Sequence, residues 1–391
     1  MISTSQALDA LFALARPLDV ETVPLGLAAG RYMPQAVHAT RTQPPFAASA
    51  MDGYAVPDAE VTSGQSLDVI GESAAGHGFA SRVGPGQAVR IFTGAPMPEG
   101  TQRVIIQEDV TRAGDVITVQ PEHDTKLYVR PAGADFAKGD ALSPRLLTPS
   151  DIALLAAMNI AQLDVTRKPQ VAIIATGDEL VQPGEVPGPD QIIASNSHGL
   201  AALIAQHGGA PRLLPIARDT DAALNLAFDL AKGADLVITI GGASVGDHDL
   251  VGGVAAARGM ERAFYKIAMR PGKPLMAGRL DGAMMIGLPG NPVSAMVCGH
   301  IFVLPVLRAM LGMPAQAAPR RRLPLANALP GNGPREHYMR AQVADGTVTV
   351  FERQDSALLT VLAAANALAV RPPNDGARLP GDLLEIIDLT H

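Results

Sequence analysis

Across 391 residues there is one cysteine, Cys298, and no tryptophan. A lone cysteine excludes an intrachain disulfide and a cysteine-based zinc site within one chain. Basic charge is also in short supply. The net charge is −7, which argues against a general nucleic-acid binder, because such a protein needs a basic face. No apolar run is clean enough for a membrane span of roughly 20 residues. The longest, residues 293–311, is interrupted by Gly299, His300, Pro305 and Arg308, and predicts a buried helix. The N-terminus lacks a basic segment followed by an apolar core, so no secretory signal is seen. The expected location is the cytoplasm, with neither nucleic acid nor membrane as a partner.

Turn-forming residues, in contrast, are plentiful. The chain has 39 glycines and 32 prolines, which imply many turns and short strands. Its composition, 47% hydrophobic and 18% charged, is that of a globular protein. The length calls for two to four domains.

Residues 3–15 read as a helix, with Ser3 or Thr4 as cap and Leu8, Leu11, Phe12 and Ala15 on one face. From about 20 to 145, short apolar runs (AVRIF, RVIIQ, VITVQ) alternate with Gly and Pro turns, the pattern of small β domains. A second helix is predicted over 149–159, with Thr148 at the N-cap, Pro149 at N1 and Asp151 at N3. From Lys168 strands and helices alternate. VAIIA reads as a buried strand, 198–207 as a helix ending at Gly208, and Asp219 or Thr220 as the cap of a helix stopping at Gly233. Such alternation implies a largely parallel sheet covered on both faces. Beyond Pro314, YMRAQV, TVTVFE, ALAVRP and LLEIID predict a small C-terminal β domain.

Three strand-like runs, DLVITI, FYKIAM and AMMIGL, each end in a turn: GGASVGDHD, RPGKP and PGNP. Ligands of an open parallel sheet bind beyond the carboxyl ends of its strands. With the TGDEL turn after VAIIA, that place collects Asp178, Glu179, Asp219, Asp247 and Asp249 together with Lys266, Arg270 and Lys273. Carboxylates hold a metal and cations neutralise phosphate oxygens, so the mixture suits a polyphosphate with Mg²⁺. Each element alone has a blander meaning. An Asp after a strand is more often a helix cap, a Gly pair is ordinary turn material, and Lys266 or Arg270 could be solvated charges. Their combination in sequence favours a site. In the N-terminal β region, PPFAASAMDGYAV carries Asp52 and FTGAPMPEG carries Thr93; read singly, these are two hairpin turns.

The strings PPFAASAMDGYAV, TGAPMPEG, ATGDEL, SNSHGL, GGASVGDHD, RPGKP and GLPGNPVSA, in this order along nearly the whole chain, resemble the molybdopterin molybdenumtransferase (MoeA) family, which includes the E domain of gephyrin. The resemblance implies a multidomain α/β plus β protein. A central α/β domain of molybdopterin-binding type, with a mostly parallel sheet, is flanked by small β domains and a C-terminal β-barrel-like domain. It implies the segments 1–44 with 133–167, 45–132, 168–314 and 315–391. The implied reaction inserts molybdenum from molybdate into adenylylated molybdopterin, with Mg²⁺-dependent release of AMP. The family is a homodimer whose site lies between the α/β domain of one subunit and the N-terminal β region of the other.

Carried over by position, the resemblance assigns catalytic roles to Asp52, Thr93, Glu179, Asp219 and Asp249, with Asp219, Asp249 and Glu179 as Mg²⁺ ligands. It assigns substrate binding to Gly241, Gly242, Ser244, Lys266, Arg270, Lys273, Pro289, Pro292, Arg340 and Ser356, the last two at the oxyanion. Molybdate is a tetrahedral dianion, for which Arg, Lys and a hydroxyl are natural partners. The family usually has Lys at Arg270, and RPAGAD stands where it has RxxGED. The upstream adenylyltransferase and downstream cofactor-handling proteins are implied partners. Rival readings are a pterin adenylyltransferase, a non-enzymatic scaffold of the same fold, and a tungstate-specific paralogue. The adenylyltransferase lacks the flanking β domains and the SAMDGYA string.

Overall fold

The computed structural model describes residues 1–242 and 250–389. The chain forms two compact units, one from Met1–Glu21, Gly30–Pro34 and Asp164–His391, the other from Thr22–Ala29 and Gln35–Leu163.

In the second unit a six-stranded sheet runs in the order Arg103–Ile106, Gly53–Val56, Gln87–Ile91, Ser66–Ser73, Val116–Val119, Val110–Ala113. Its neighbours are antiparallel except for Gln87–Ile91 beside Ser66–Ser73. Tyr54, Leu67, Ile105, Ile117 and Val119 fill one face, and Ala55, Ile91 and Val104 bury the other. The strand Gly53–Val56 is buried throughout because it lies inside the sheet with both faces covered. The helix Pro149–Ala157 starts as its sequence predicts. Thr148 Oγ1 accepts from Asp151 N, and Asp151 Oδ2 accepts from Thr148 N, a reciprocal capping box.

The first unit opens with the helix Thr4–Leu14, capped by the same device between Ser3 and Gln6. Its buried Ala7, Leu8 and Leu11 join the main core. The central sheet has the order Ala210–Leu213, Gln170–Ala175, Leu236–Ile240, Ala283–Leu288, Met276–Leu280, Glu261–Tyr265. The first four strands are parallel, and Met276–Leu280 is antiparallel to both of its neighbours. Strand residues then sort by parity. Val171, Ile173, Ile238, Ile240 and Ile286 face the helices Ser195–Gln206 and Leu304–Met310, whereas Ala172, Ile174, Val237 and Met285 face Asp221–Leu230 and Leu250–Ala257. Thr220 Oγ1 accepts from Ala223 N at 3.2 Å and caps the helix Asp221–Leu230.

Several elements depart from the sequence expectation. FYKIAM is not one strand. It stops at Tyr265, Lys266 takes a φ of 70°, and Met269–Arg270 pairs with Glu336 and His337 in a different sheet. The backbone between them is spent on Leu275 O, Lys273 O and Ile2 O instead of a single ladder. The strand Met276–Leu280 also gave no signal, because Pro274 and Gly278 make that stretch read as a turn. The apolar stretch near 300 is helical and buried as expected, but in three pieces: Pro292–Cys298, a π-helical Gly299–Val303, and Leu304–Met310. Pro305 lacks the N–H that a regular ladder needs, which accounts for the wider turn before it. This helix is long and apolar enough to cross a membrane, yet 83% of its most apolar window is buried in the protein.

The last sheet runs Met269–Arg270, Glu336–Ala344, Ala367–Arg371, Leu383–Asp388, Arg321–Pro324, with Thr347–Val350 beside Glu336–Ala344. A bridge between Leu325 and Val348 closes the ring. Ala341, Val348, Val350, Ala369, Leu384 and Ile386 fill its interior, while Tyr338, Leu368, Val370 and Ile387 join the main core on the opposite face.

Candidate functional site

The parallel strands Gln170–Ala175, Leu236–Ile240 and Ala283–Leu288 end in register, with Ala175 beside Ile240 and Ile240 beside Leu288. Their turns surround a cavity of about 550 Å³. Glu179, Asp219, Gly241, Gly242, Pro289 and Pro292 all line it. The turns can approach so closely because they carry glycine. A Cβ on Gly241 would lie 2.7 Å from Thr176 O, and one on Gly290 would lie 3.5 Å from Gly241 Cα. Ser244, Asp247 and Asp249 lie outside the described residues.

The carboxylates on this rim are held by their neighbours. Asp178 Oδ1 accepts from Asp219 N at 3.2 Å. Arg218 donates to Asp178 O at 2.7 Å and pins the TGDE turn. Partial burial, followed by the charges of Asp178 and Glu179, pushes the Asp219 carboxyl above the usual carboxylate range. A group in that condition gains from a cation placed among the three acids. Two of the expected Mg²⁺ ligands, Asp219 and Glu179, therefore suit a hard oxygen-loving ion. No cluster of three ligand-type side chains stands ready-made among the described residues.

The cationic residues fall in two settings. Lys266 Nζ sits 4.8 Å from the centre of the Tyr265 ring. Arg270 is exposed at the edge of the barrel sheet, paired in register with His337. Arg340, on the adjacent strand, is fully buried. Its Nη2 donates to Asp355 O at 3.0 Å, but Nε and Nη1 have no hydrogen-bond partner. Burial, with Arg270 as a second cause, lowers its pKa to about 10. A buried guanidinium with two idle donors is expensive to keep, and an anion would satisfy it. The segment it holds leads directly to the cavity. Ser356 follows Asp355, Ser356 O accepts from Val293 N at 3.0 Å, and Ala357 lines the cavity wall. Gln354 steadies the Arg340 backbone from both sides, accepting from its N–H and donating to its carbonyl, each at 2.9 Å. Lys273 is half-buried in the turn that closes this region.

Asp52 and Thr93 meet in the second unit. Asp52 Oδ1 accepts from Thr93 N at 2.7 Å and from Thr93 Oγ1 at 2.8 Å. These two bonds, backbone first, hold the Asp52 carboxyl below its usual range. Arg90 donates to Gly53 O at 3.2 Å and packs on the Phe92 ring, fixing the loop that carries the acid.

Sequence reasoning gave no role to Asn196, Asn291, Arg218 or Gln354. Asn196 Nδ2 donates to Gly290 O at 2.7 Å and fixes the PGNP turn, and Asn291 Nδ2 donates to Ser356 Oγ at 3.1 Å. SNSHGL and PGNP do contain the two asparagines, but nothing in a single chain links them to partners 94 and 65 positions away.

Family comparisons cover the same ground. Residues 2–159 match the MoeA N-terminal region (domain I and II), 172–309 a probable molybdopterin binding domain, and 322–389 the MoeA C-terminal region (domain IV). The molybdopterin molybdenumtransferase of Nostoc is 37% identical over 371 residues, covering 90% of this chain and 85% of that protein. Molybdopterin molybdenumtransferase 2 of Mycobacterium tuberculosis is 36% identical over 385 residues, covering 94% and 95%. A crystal structure of the MoeA protein from Pyrococcus horikoshii superposes with a TM-score of 0.82 at 29% identity, covering both chains fully.

Proposed function

Since the chain belongs to the MoeA family of molybdopterin molybdenumtransferases, we propose that its transfer reaction uses molybdate and adenylylated molybdopterin and releases AMP. The observation that supports this best is the fully buried Arg340, whose Nη2 holds the segment that walls the strand-end cavity while Nε and Nη1 are left without a partner. A tetrahedral dianion satisfies a guanidinium of this kind in a way that a neutral substrate does not.

In this reading Glu179, Asp219 and Asp249 hold Mg²⁺, which when bound neutralises phosphate oxygens of the substrate. The glycines Gly241 and Gly242, with Ser244, let the nucleotide part approach the backbone. Pro289 and Pro292 keep the PGNP turn rigid, so the cavity keeps its width. Lys266, Arg270 and Lys273 face the anionic substrate as an electrostatic rim, and Arg340 with the Ser356 hydroxyl binds the oxyanion. Arg270 brings a planar fork where a lysine would bring a point charge. Asp52, its pKa lowered by the Thr93 hydrogen bonds, is a further carboxylate of the reaction. We further propose a homodimeric, cytoplasmic enzyme with the four-segment division given above. It would receive substrate from an adenylyltransferase and pass its product to cofactor-handling proteins.

The test is incubation of the purified chain with adenylylated molybdopterin, Mg²⁺ and either molybdate or tungstate, following AMP and metal-bound pterin. Release of AMP with metal-bound pterin supports the reading, and turnover without either oxyanion contradicts it. Asp249→Ala should abolish AMP release with the fold intact. An active monomer in sedimentation would contradict the dimer.

A further inference from the structure

The helix Pro292–Cys298 begins in an unusual way. Asn291 stands at its N-cap, a position where an asparagine side chain ordinarily accepts from the N–H groups of the first turn. Here its side chain makes no capping bond. It reaches to the Ser356 hydroxyl instead, donating from Nδ2 at 3.1 Å. The orphan N–H of Val293 is satisfied from the same direction, by Ser356 O at 3.0 Å. The segment 355–357 therefore caps this helix from a distant part of the chain, and Asn291, which lines the strand-end cavity, is released from its local role.

A hydroxyl has one proton and two lone pairs. When Ser356 Oγ accepts from an amide, its own O–H is directed away from that amide and remains a donor. The neighbouring carbonyl, Asp355 O, is occupied by Arg340 Nη2 at 3.0 Å. The Ser356 hydroxyl thus lies one residue from the carbonyl that Arg340 Nη2 holds, while Arg340 Nε and Nη1 stay without a partner. We infer that Asn291 is a positioning residue that orients the Ser356 hydroxyl as a hydrogen-bond donor to the tetrahedral oxyanion. This rests on the reading above that Ser356 binds the oxyanion. Local stability would favour a self-capping asparagine, and a rule broken at one position without local benefit is the mark of a functional constraint.

The measurement is the half-saturating molybdate concentration for AMP release in the intact protein, for Asn291→Ala, Asn291→Asp, Ser356→Ala and the double variant Asn291→Ala/Ser356→Ala, with thermal melting of each. Loss of a hydrogen bond to a charged ligand raises that concentration about tenfold, so Ser356→Ala should show about this rise. Asn291→Ala should show a comparable rise with little change in kcat, and the double variant should be no worse than Ser356→Ala alone. Asn291→Asp can only accept, so it turns the serine proton toward itself. It should match or exceed the alanine effect while melting no lower than the parent, because aspartate is a good N-cap. Effects of Asn291→Ala and Ser356→Ala that multiply would overturn the proposal, as would a silent Asn291→Asp beside an impaired Ser356→Ala. A silent Ser356→Ala would instead remove the oxyanion role of Ser356 on which the proposal stands.

Discussion

Replacing Arg340 by methionine should make the ligand-free protein more stable while removing its response to molybdate. The guanidinium is fully buried with Nε and Nη1 unpartnered. Its depression from the ordinary arginine range to about 10 corresponds to roughly 3 kcal/mol by which the fold disfavours the charge. This group has its folded pKa below its unfolded one, and both lie far above neutrality. The penalty is therefore complete at every ordinary pH and would fade only in strong alkali. Arg340→Met removes it and loses one hydrogen bond, Nη2 to Asp355 O, a loss of about 1 kcal/mol. Asp355 O keeps a contact from Leu358 N at 3.4 Å. The net gain of about 2 kcal/mol should raise the melting temperature by about 4–8 °C. In the parent, molybdate at about a hundred times its dissociation constant should add about 2.7 kcal/mol, and in the variant nothing. Differential scanning calorimetry with and without molybdate checks both. A fall in the melting temperature of the ligand-free variant would refute the reasoning, since Arg340 would then be a satisfied structural ion.

Asp219→Asn should stabilise the ligand-free protein slightly, by roughly 0.5 kcal/mol given its exposure, because it removes a partly buried charge and then the repulsion from Asp178 and Glu179. It should also weaken the thermal shift produced by Mg²⁺, and an unchanged shift would count against Asp219 as a ligand. His337, buried and flanked by Arg270, Arg340, Arg371 and Arg335, has its pKa lowered from 6.5 to about 4. Between those values the unfolded chain binds the extra proton, so stability falls by roughly 3 kcal/mol as pH drops through this window. His337→Leu should flatten urea midpoints between pH 4 and 6.5. Gly272→Ala should lower the melting temperature, because φ is +107° and the new methyl would lie 2.6 Å from Cys298 Sγ. Adding Cys298→Ala should restore part of the loss, and no restoration would mean that backbone strain is the whole cause.

Much of this architecture is legible in the chain because its signals are local. Ser3 with Gln6 and Thr148 with Asp151 form their caps within three residues, and three of the four parallel strands announce themselves as apolar runs, whereas Ala210–Leu213, a short edge strand with Pro211 and Arg212, does not. Glu179, Asp219, Gly241, Gly242, Pro289 and Pro292 gather because each follows a strand of one sheet. What stayed hidden is set at long range. Hydropathy in FYKIAM gives no sign that the backbone changes sheets at Lys266. The segment 354–357 is irregular, so its place depends on Arg340, Asn291 and Val293 rather than on its own pattern. Ser356 could be reached from sequence only by resemblance; the two bonds that hold it come from residues over sixty positions away.

Met269–Arg270 gives the barrel an edge strand from the middle of the chain. The barrel is therefore not a module that can be cut off or transplanted as one continuous tail. A chain ending near residue 320 would strip this pair of its neighbour and leave Arg270 without the strand that places it beside Arg340. A tail grafted elsewhere would arrive with an open edge. Recombination between relatives must therefore keep residues 261–275 and 336–371 from the same parent, or the pairing of Met269–Arg270 with Glu336 and His337 loses its register.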